Sequence, residues 1–211
     1  MIAATTLAFL VAVGGPVAAD LPDSDGDPAA SSATSGASTT VWSVPVAHTA
    51  GVILGMRISL SIIWPGPYAL SPLSDRARQF GRAYTMPPQW HRGRVFLESD
   101  GDPWAQNVVG HGLFGAEAYG RVRACGGAAW QALAFTVGAS VLWEYGIESW
   151  NKRPSGIDLL LTPALGAALG EVRHRLLLAL GPRPPSRLGR IARFLVDPLG
   201  ETERRALGTR C

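Results

Sequence analysis

At 211 residues the chain is long enough for one domain with its own core and too short for two of ordinary size. Hydrophobic residues make up 47% of it and charged residues only 17%, where soluble proteins carry roughly a quarter, so a membrane or envelope setting is favoured over the cytosol. The net charge of +3 is unevenly spread, with four Asp and no base in residues 1–40 and nine Arg against three acids in residues 172–211; with no interleaved aromatics and no zinc or groove-reading motif, this argues against nucleic acid and for membrane lipid as the partner.

Residues 1–19 form an uncharged apolar stretch ending Pro16-Val17-Ala18-Ala19. That is the pattern of a signal peptide with small residues at its cleavage site, although no base precedes it, so an N-terminal anchor or a misplaced start codon is the alternative. The signal-peptide reading argues for export to the bacterial cell envelope, on the periplasmic side. Residues 20–40, rich in Asp, Ser, Ala, Thr and Gly, bury too little apolar surface to order themselves and predict a disordered linker.

Residues 41–97 form an N-terminal helix and loop region. An apolar helix is predicted over 41–64, with Gly51 and Gly55 at small-xxx-small spacing and Arg57 as its one interruption. A short amphipathic helix is expected over 74–84. The core domain, 98–181, opens with Asp102 as a helix cap and Pro103 at the first helical position, for a helix running to about residue 123. On it Asn107, His111, Gly115 and Tyr119 share one ridge facing the protein, while Glu117 and Arg121 form an i,i+4 pair facing water.

The next helix is predicted over 128–150, and Ser140, Glu144 and Glu148 form its ridge. Two carboxylates at that spacing repel, and Glu148 has Lys152 four residues on as a local partner. Glu144 has none and lies between Trp143 and Tyr145, so a protonated state or a cation from another helix is expected. Ser155 to Asp158 reads as a capping box after Pro154. Pro163 then either kinks the helix or restarts it with Thr162 as a second cap. Gly166 and Gly170 allow close approach of another helix, and Glu171 has Arg175 as its local partner. Residues 182–211 make a basic tail, with Arg187, Arg190 and Arg193 alternating with Leu188, Ile191, Phe194 and Leu195 in an amphipathic helix. Cys125 and Cys211 have no metal-ligand neighbours at short spacing and are expected to be ordinary thiols, Cys211 on a frayed end; a single bridge is the alternative.

The predicted fold is all-α: a compact, membrane-associated bundle of about four to five short helices with glycine-mediated packing. The joint pattern Asp100-x-Asp102, Asn107-x-x-Gly110-His111, Gly115, Tyr119, Ser140-x-x-Trp143-Glu144-Tyr145-x-x-Glu148, Pro154-Ser155-x-x-Asp158 and Thr162-Pro163-x-x-Gly166-x-x-x-Gly170-Glu171 is similar to the bacterial envelope family catalogued as domain of unknown function 3943, over roughly residues 90–200. The resemblance implies an exported or membrane-associated helical domain and supplies no activity. Where family members often carry Gly-His-Pro, this chain has Gly110-His111-Gly112, which removes a backbone constraint beside the histidine.

Two classes of function remain. In the first, a non-catalytic envelope protein, His111, Glu144, Glu148 and Glu171 with Asn107, Tyr119 and Ser140 form a buried hydrogen-bonded network. In the second, Glu144 and His111 are the acid/base pair of a hydrolase acting on an envelope lipid or glycan, with a metal-assisted variant. The chain carries no Gly-x-Ser-x-Gly elbow, no His-Glu-x-x-His and no nucleotide loop, so the first is favoured and no cofactor or metal is expected.

Overall fold

The computed structural model describes residues 41–63, 65–69, 72–91, 93–182, 184–208 and 211. The signal peptide or anchor expected at 1–19 and the linker expected at 20–40 lie outside the described residues. The regular structure described is helical: α1 Ser43–Ile63, α2 Pro65–Tyr68, α3 Leu73–Thr85, α4 His111–Ala124, α5 Ala129–Val141, α6 Asp158–Leu180, α7 Arg187–Val196 and α8 Pro198–Leu207. Among the described residues the only strand-like pairing is a single bridge between Gln89 and Ser155.

Two helices are extended by turns of unusual pitch. A π-helical turn over Gln106–Gly110 leads into α4, and another over Leu142–Ile147 carries α5 onward into a 3-10 turn at Glu148–Trp150. Asp102 does not cap α4 as expected: its carboxylate turns to Gln106 and Lys152, and Glu98 accepts the Trp104 N–H instead, at 3.2 Å. At the start of α6 the Ser155 hydroxyl does accept the Asp158 N–H, at 3.1 Å. The reciprocal half of the predicted box is missing, because the Ser155 N–H goes to Glu144. Pro163 lies inside α6 without restarting it. The basic tail contains more structure than predicted, since Asp197 caps a further helix, α8, with Pro198 in its first turn.

The core is built where α1, α4 and α5 meet. Ile53, Phe114, Ala118, Ala139 and Trp143 form its buried centre, joined by Tyr119, Val122 and Ala132 further along α4 and α5. The closest approach is between α4 and α6. A Cβ added at Gly115 would overlap the Thr162 carbonyl oxygen, and one added at Gly166 would lie 2.6 Å from the Gly115 carbonyl carbon. At Gly55, by contrast, an added Cβ meets nothing within 4 Å.

Two expectations are corrected by this packing. Glu117 and Arg121 do not form a solvated i,i+4 pair: Arg121 is 2% exposed. It faces Glu203 at 3.3 Å, and Glu117 takes Arg173 at 2.6 Å and His48 at 3.2 Å. His48 also binds Glu203 at 2.6 Å, and Arg204 binds Asp197 at 2.9 Å, so α1, α4, α6 and α8 are joined by a charge-matched layer. The cysteines are not free thiols on a loose end; Cys125 and Cys211 are bridged across 86 residues of sequence, and Arg121 donates to the Cys211 carbonyl at 3.0 Å.

Gly115→Ala should lower stability by roughly 3 kcal/mol or more, because backbone must move, whereas Gly55→Ala should be neutral or raise it by up to about 1 kcal/mol. Thermal unfolding of the two variants checks the contrast. Closing a loop of that length predicts that Cys211→Ser lowers stability by about 2 to 5 kcal/mol, read by denaturant titration with and without reductant.

Candidate functional site

The end of the bundle where α4 begins, α5 ends and α6 begins holds a dense set of buried ionisable groups. His111 is the first residue of α4, Glu144 and Glu148 lie on the π and 3-10 turns that extend α5, and Asp158 is the first residue of α6. The π-helical turns put an extra residue into each turn, which re-aims the side chains that follow. The exposure of these side chains is small: His111 4%, Glu144 0%, Glu148 1% and Asp158 0%. One donor atom from each of the four lies within 4.8 Å of the others, and Asp100, Asp102 and Asp158 meet the same limit as a second, overlapping set.

Each group is positioned by an identifiable contact. The His111 Nδ1 lies 2.9 Å from the Thr162 hydroxyl, and its Nε2 faces Asp158 Oδ2 at 3.4 Å. Glu144 Oε2 accepts the Ser155 N–H at 2.6 Å, and the Ser140 hydroxyl donates to the Asp158 carbonyl at 3.3 Å. Glu148 Oε1 accepts from the Tyr68 hydroxyl at 3.0 Å and lies 3.4 Å from the Lys152 amine. Asn107 donates to the Leu97 carbonyl at 2.9 Å and to Asp100 Oδ1 at 2.8 Å. Lys152 also pairs with Asp102, and with Asp100 at 3.7 Å.

The charges do not balance. Lys152 faces Glu148, Asp100 and Asp102 and Arg57 lies near Glu148, while Glu144 and Asp158 feel the Lys152 charge without an ion pair to it. Burial pushes the Glu144 carboxyl well above the usual carboxylate range, and the charges of Glu148 and Asp158 push the same way. Burial also pushes Asp158 up to about 8 and His111 down to about 4. Lys152, despite burial that disfavours its charge, is held well above its ordinary value by Glu148 and Asp102. Glu144 Oε1 and Glu148 Oε2 have no hydrogen-bond partner, and the Asp158 carboxylate has the Ser155 hydroxyl as a neighbouring donor.

Of the residues singled out in the sequence, His111, Glu144, Glu148, Ser140 and Asn107 converge here. Tyr119 and Glu171 do not: the Tyr119 hydroxyl donates to Glu171 at 3.1 Å, and Glu171 pairs with Arg123 and Arg175 some 20 Å further along α6 by helical rise. Sequence reasoning missed Asp158, taken as half of a capping box, along with Asp100 and Tyr68. The signal for Asp158 was its place four residues before Thr162, on the ridge that continues to Gly166 and Gly170.

An all-helical bundle with a closed, net anionic centre at one end is the class of protein these features define. Residues 97–199 match the model of the family described as Domain of unknown function (DUF3943), and this segment is the domain the sequence resembles. It contains His111, Glu144, Glu148 and Asp158, whereas Tyr68 reaches the centre from outside it. No curated protein and no solved structure matches the chain.

The pH response of the centre has a definite sign. Asp158 has a folded-state pKa above its ordinary value, so its stabilising contribution is fully present below about pH 4 and is lost as pH rises toward 8. Asp158→Asn removes this dependence. In chelator-containing buffer the variant should therefore gain stability relative to the wild type across that window, by at most roughly 6 kcal/mol, measured by thermal unfolding at a series of pH values.

Proposed function

We propose that the protein is an exported, membrane-associated and non-catalytic helical scaffold of the cell envelope. In this reading the His and carboxylate centre fixes the helix ends relative to one another, and Gly115 and Gly166 set the α4 to α6 spacing. The observation that carries it is the distribution of apolar side chains. Leu54, Ile58 and Ile62 on α1, Trp130, Leu133, Val137 and Val141 on α5, and Leu169, Val172 and Leu176 on α6 form exposed apolar stripes at helical spacing. An aqueous surface does not favour such stripes on neighbouring helices; lipid does. α1 is also the one helix among the described residues long and apolar enough to cross a membrane, and only 17% of its most apolar stretch is buried.

Three further features support the reading. The Cys125–Cys211 bridge suits an oxidising compartment outside the cytosol. A groove of about 660 Å³ between α1 and α8, lined by apolar residues such as Val44, Gly51, Leu199 and Leu207 together with His48 and Glu203, offers a largely apolar surface to an acyl chain. On α7, Arg187 and Arg190 are exposed beside Leu188 and Ile191, as a helix lying on anionic lipid requires. Arg193 is committed instead to Glu201.

The alternative, hydrolysis of an envelope lipid or glycan by Glu144 and His111, requires a substrate to touch both groups. Their burial opposes it, since Glu144 is wholly enclosed and His111 nearly so, leaving no room for a substrate to touch both.

Protein lacking residues 1–40 should still require detergent for solubility and should float with vesicles containing anionic lipid. Replacing Arg187 and Arg190 together by Glu should weaken vesicle binding at least fivefold. Quantitative recovery of the truncated protein in the lipid-free aqueous fraction would overturn the membrane reading.

A further inference from the structure

We infer that His111, Glu144, Glu148 and Asp158 form a binding site for one divalent first-row transition-metal ion. The inference rests on the centre being a closed structural element, as proposed above, and adds what holds it closed.

Geometry comes first. A four- to six-coordinate ion of this class lies about 2.0 to 2.2 Å from its nitrogen and oxygen ligands, so two ligands on opposite sides are separated by up to roughly 4.4 Å. One donor atom from each of the four side chains already lies within 4.8 Å of the rest. Side-chain shifts of a few tenths of an ångström close the difference.

The second observation is independent of the clustering. Glu144 Oε1 and Glu148 Oε2 are buried oxygens without a hydrogen-bond partner, and the buried Asp158 carboxylate has the Ser155 hydroxyl as a neighbouring donor, all on side chains at 0 to 1% exposure. Each already spends another atom or its backbone on positioning: Glu144 Oε2 on the Ser155 N–H, Glu148 Oε1 on Tyr68 and Lys152, the Asp158 N–H on Ser155. The free oxygens of Glu144 and Glu148 are therefore held in place by their own side chains' second contacts, and Asp158 by its backbone at the helix start. Carboxyl oxygens withdrawn from water need a proton, a hydrogen bond or a cation in its place, and a metal ion is the cation that can serve several of them at once.

His111 is oriented in the same sense. With Nδ1 2.9 Å from the Thr162 hydroxyl, the ring turns Nε2 toward Asp158, where 3.4 Å separates two atoms that make no hydrogen bond. A second contact on the far ring nitrogen is how ligand histidines are commonly fixed, leaving the other lone pair for an ion.

Charge bookkeeping agrees. The centre gathers Asp100, Asp102, Glu144, Glu148 and Asp158 around the ammonium of Lys152, with the Arg57 guanidinium near Glu148 as the second cation, so acids outnumber bases. The layer at the far side of the bundle sets Glu117, Asp197, Glu201 and Glu203 against Arg121, Arg173, Arg193 and Arg204 and is matched. A dication supplies the charge that the first centre lacks. One imidazole nitrogen with three carboxylates is a donor set for Mn²⁺, Fe²⁺ or Zn²⁺ rather than for an ion that prefers oxygen alone or thiolate.

The test uses the full chain in detergent, purified without chelator, incubated separately with Mn²⁺ and Zn²⁺, desalted and analysed by elemental mass spectrometry. The expected result is close to one equivalent of one of these ions per chain, reduced at least tenfold in Glu144→Gln and in Asp158→Asn, and unchanged in Glu171→Gln. The inference is overturned if folded wild-type protein, verified by circular dichroism, retains less than a tenth of an equivalent of both ions. It is equally overturned if the double variant Glu144→Gln/Asp158→Asn retains as much as the wild type. Vesicle flotation of the same samples separates the two readings: a metal-loaded protein that ignores lipid loses only the membrane assignment, and a lipid-bound protein without metal loses only this one.

Discussion

The constraint on which the rest of the structure depends is the burial of acidic side chains at one end of the bundle. Glu144, Glu148 and Asp158 are almost wholly withdrawn from solvent, beside a single ammonium. Carboxylates are withdrawn from water only where hydrogen bonds, protons or cations replace it. The two π-helical turns, the Ser155 cap and the bridge between Gln89 and Ser155 all lie at this end, so the least regular backbone of the molecule surrounds its most expensive side chains.

The bundle contains two polar layers that solve the same problem differently. On the side where α1, α4, α6 and α8 meet, arginines and acids alternate and each acid has a cation, with His48 between Glu117 and Glu203. This layer ties the C-terminal helices to the core, and the Cys125–Cys211 bridge fastens the same region covalently. At the other end the acids outnumber the bases. A purely structural cap would be expected to resemble the first layer; the second is arranged like a set of ligands.

Much of the helical framework was legible in the sequence because it depends on local signals. The apolar stretch of α1, the amphipathic pattern of α3 and the uncharged run of α5 each carry their own periodicity, and the observed boundaries lie within a few residues of those predicted. His111 and Glu144 were also legible, as ionisable groups without a local partner in apolar surroundings. Asp158 was not, because a Ser-x-x-Asp sequence is satisfied locally as a cap, and nothing in the spacing says that the carboxylate will turn away from the helix end. Glu171 and Tyr119 failed in the opposite direction: Tyr119 shares the α4 ridge with His111, but a ridge extends along a helix and membership in it does not imply contact, and Glu171 lies far along α6 with its own arginines.

What the sequence by itself determined is therefore the identity of the helices, their apolar faces and the family pattern over residues 97–199. Those are set by side-chain periodicity and capping, which act within about one turn of their own residue. What only the tertiary structure decided is which charges meet. Arg121 reads as a solvated partner of Glu117 and is instead buried against Glu203; Cys211 reads as a frayed thiol and is bridged; Asp158 reads as a cap and faces His111. Each of these depends on a group 47 to 86 residues away in the chain, and charge pairing at that range is fixed by how helices pack rather than by any local preference.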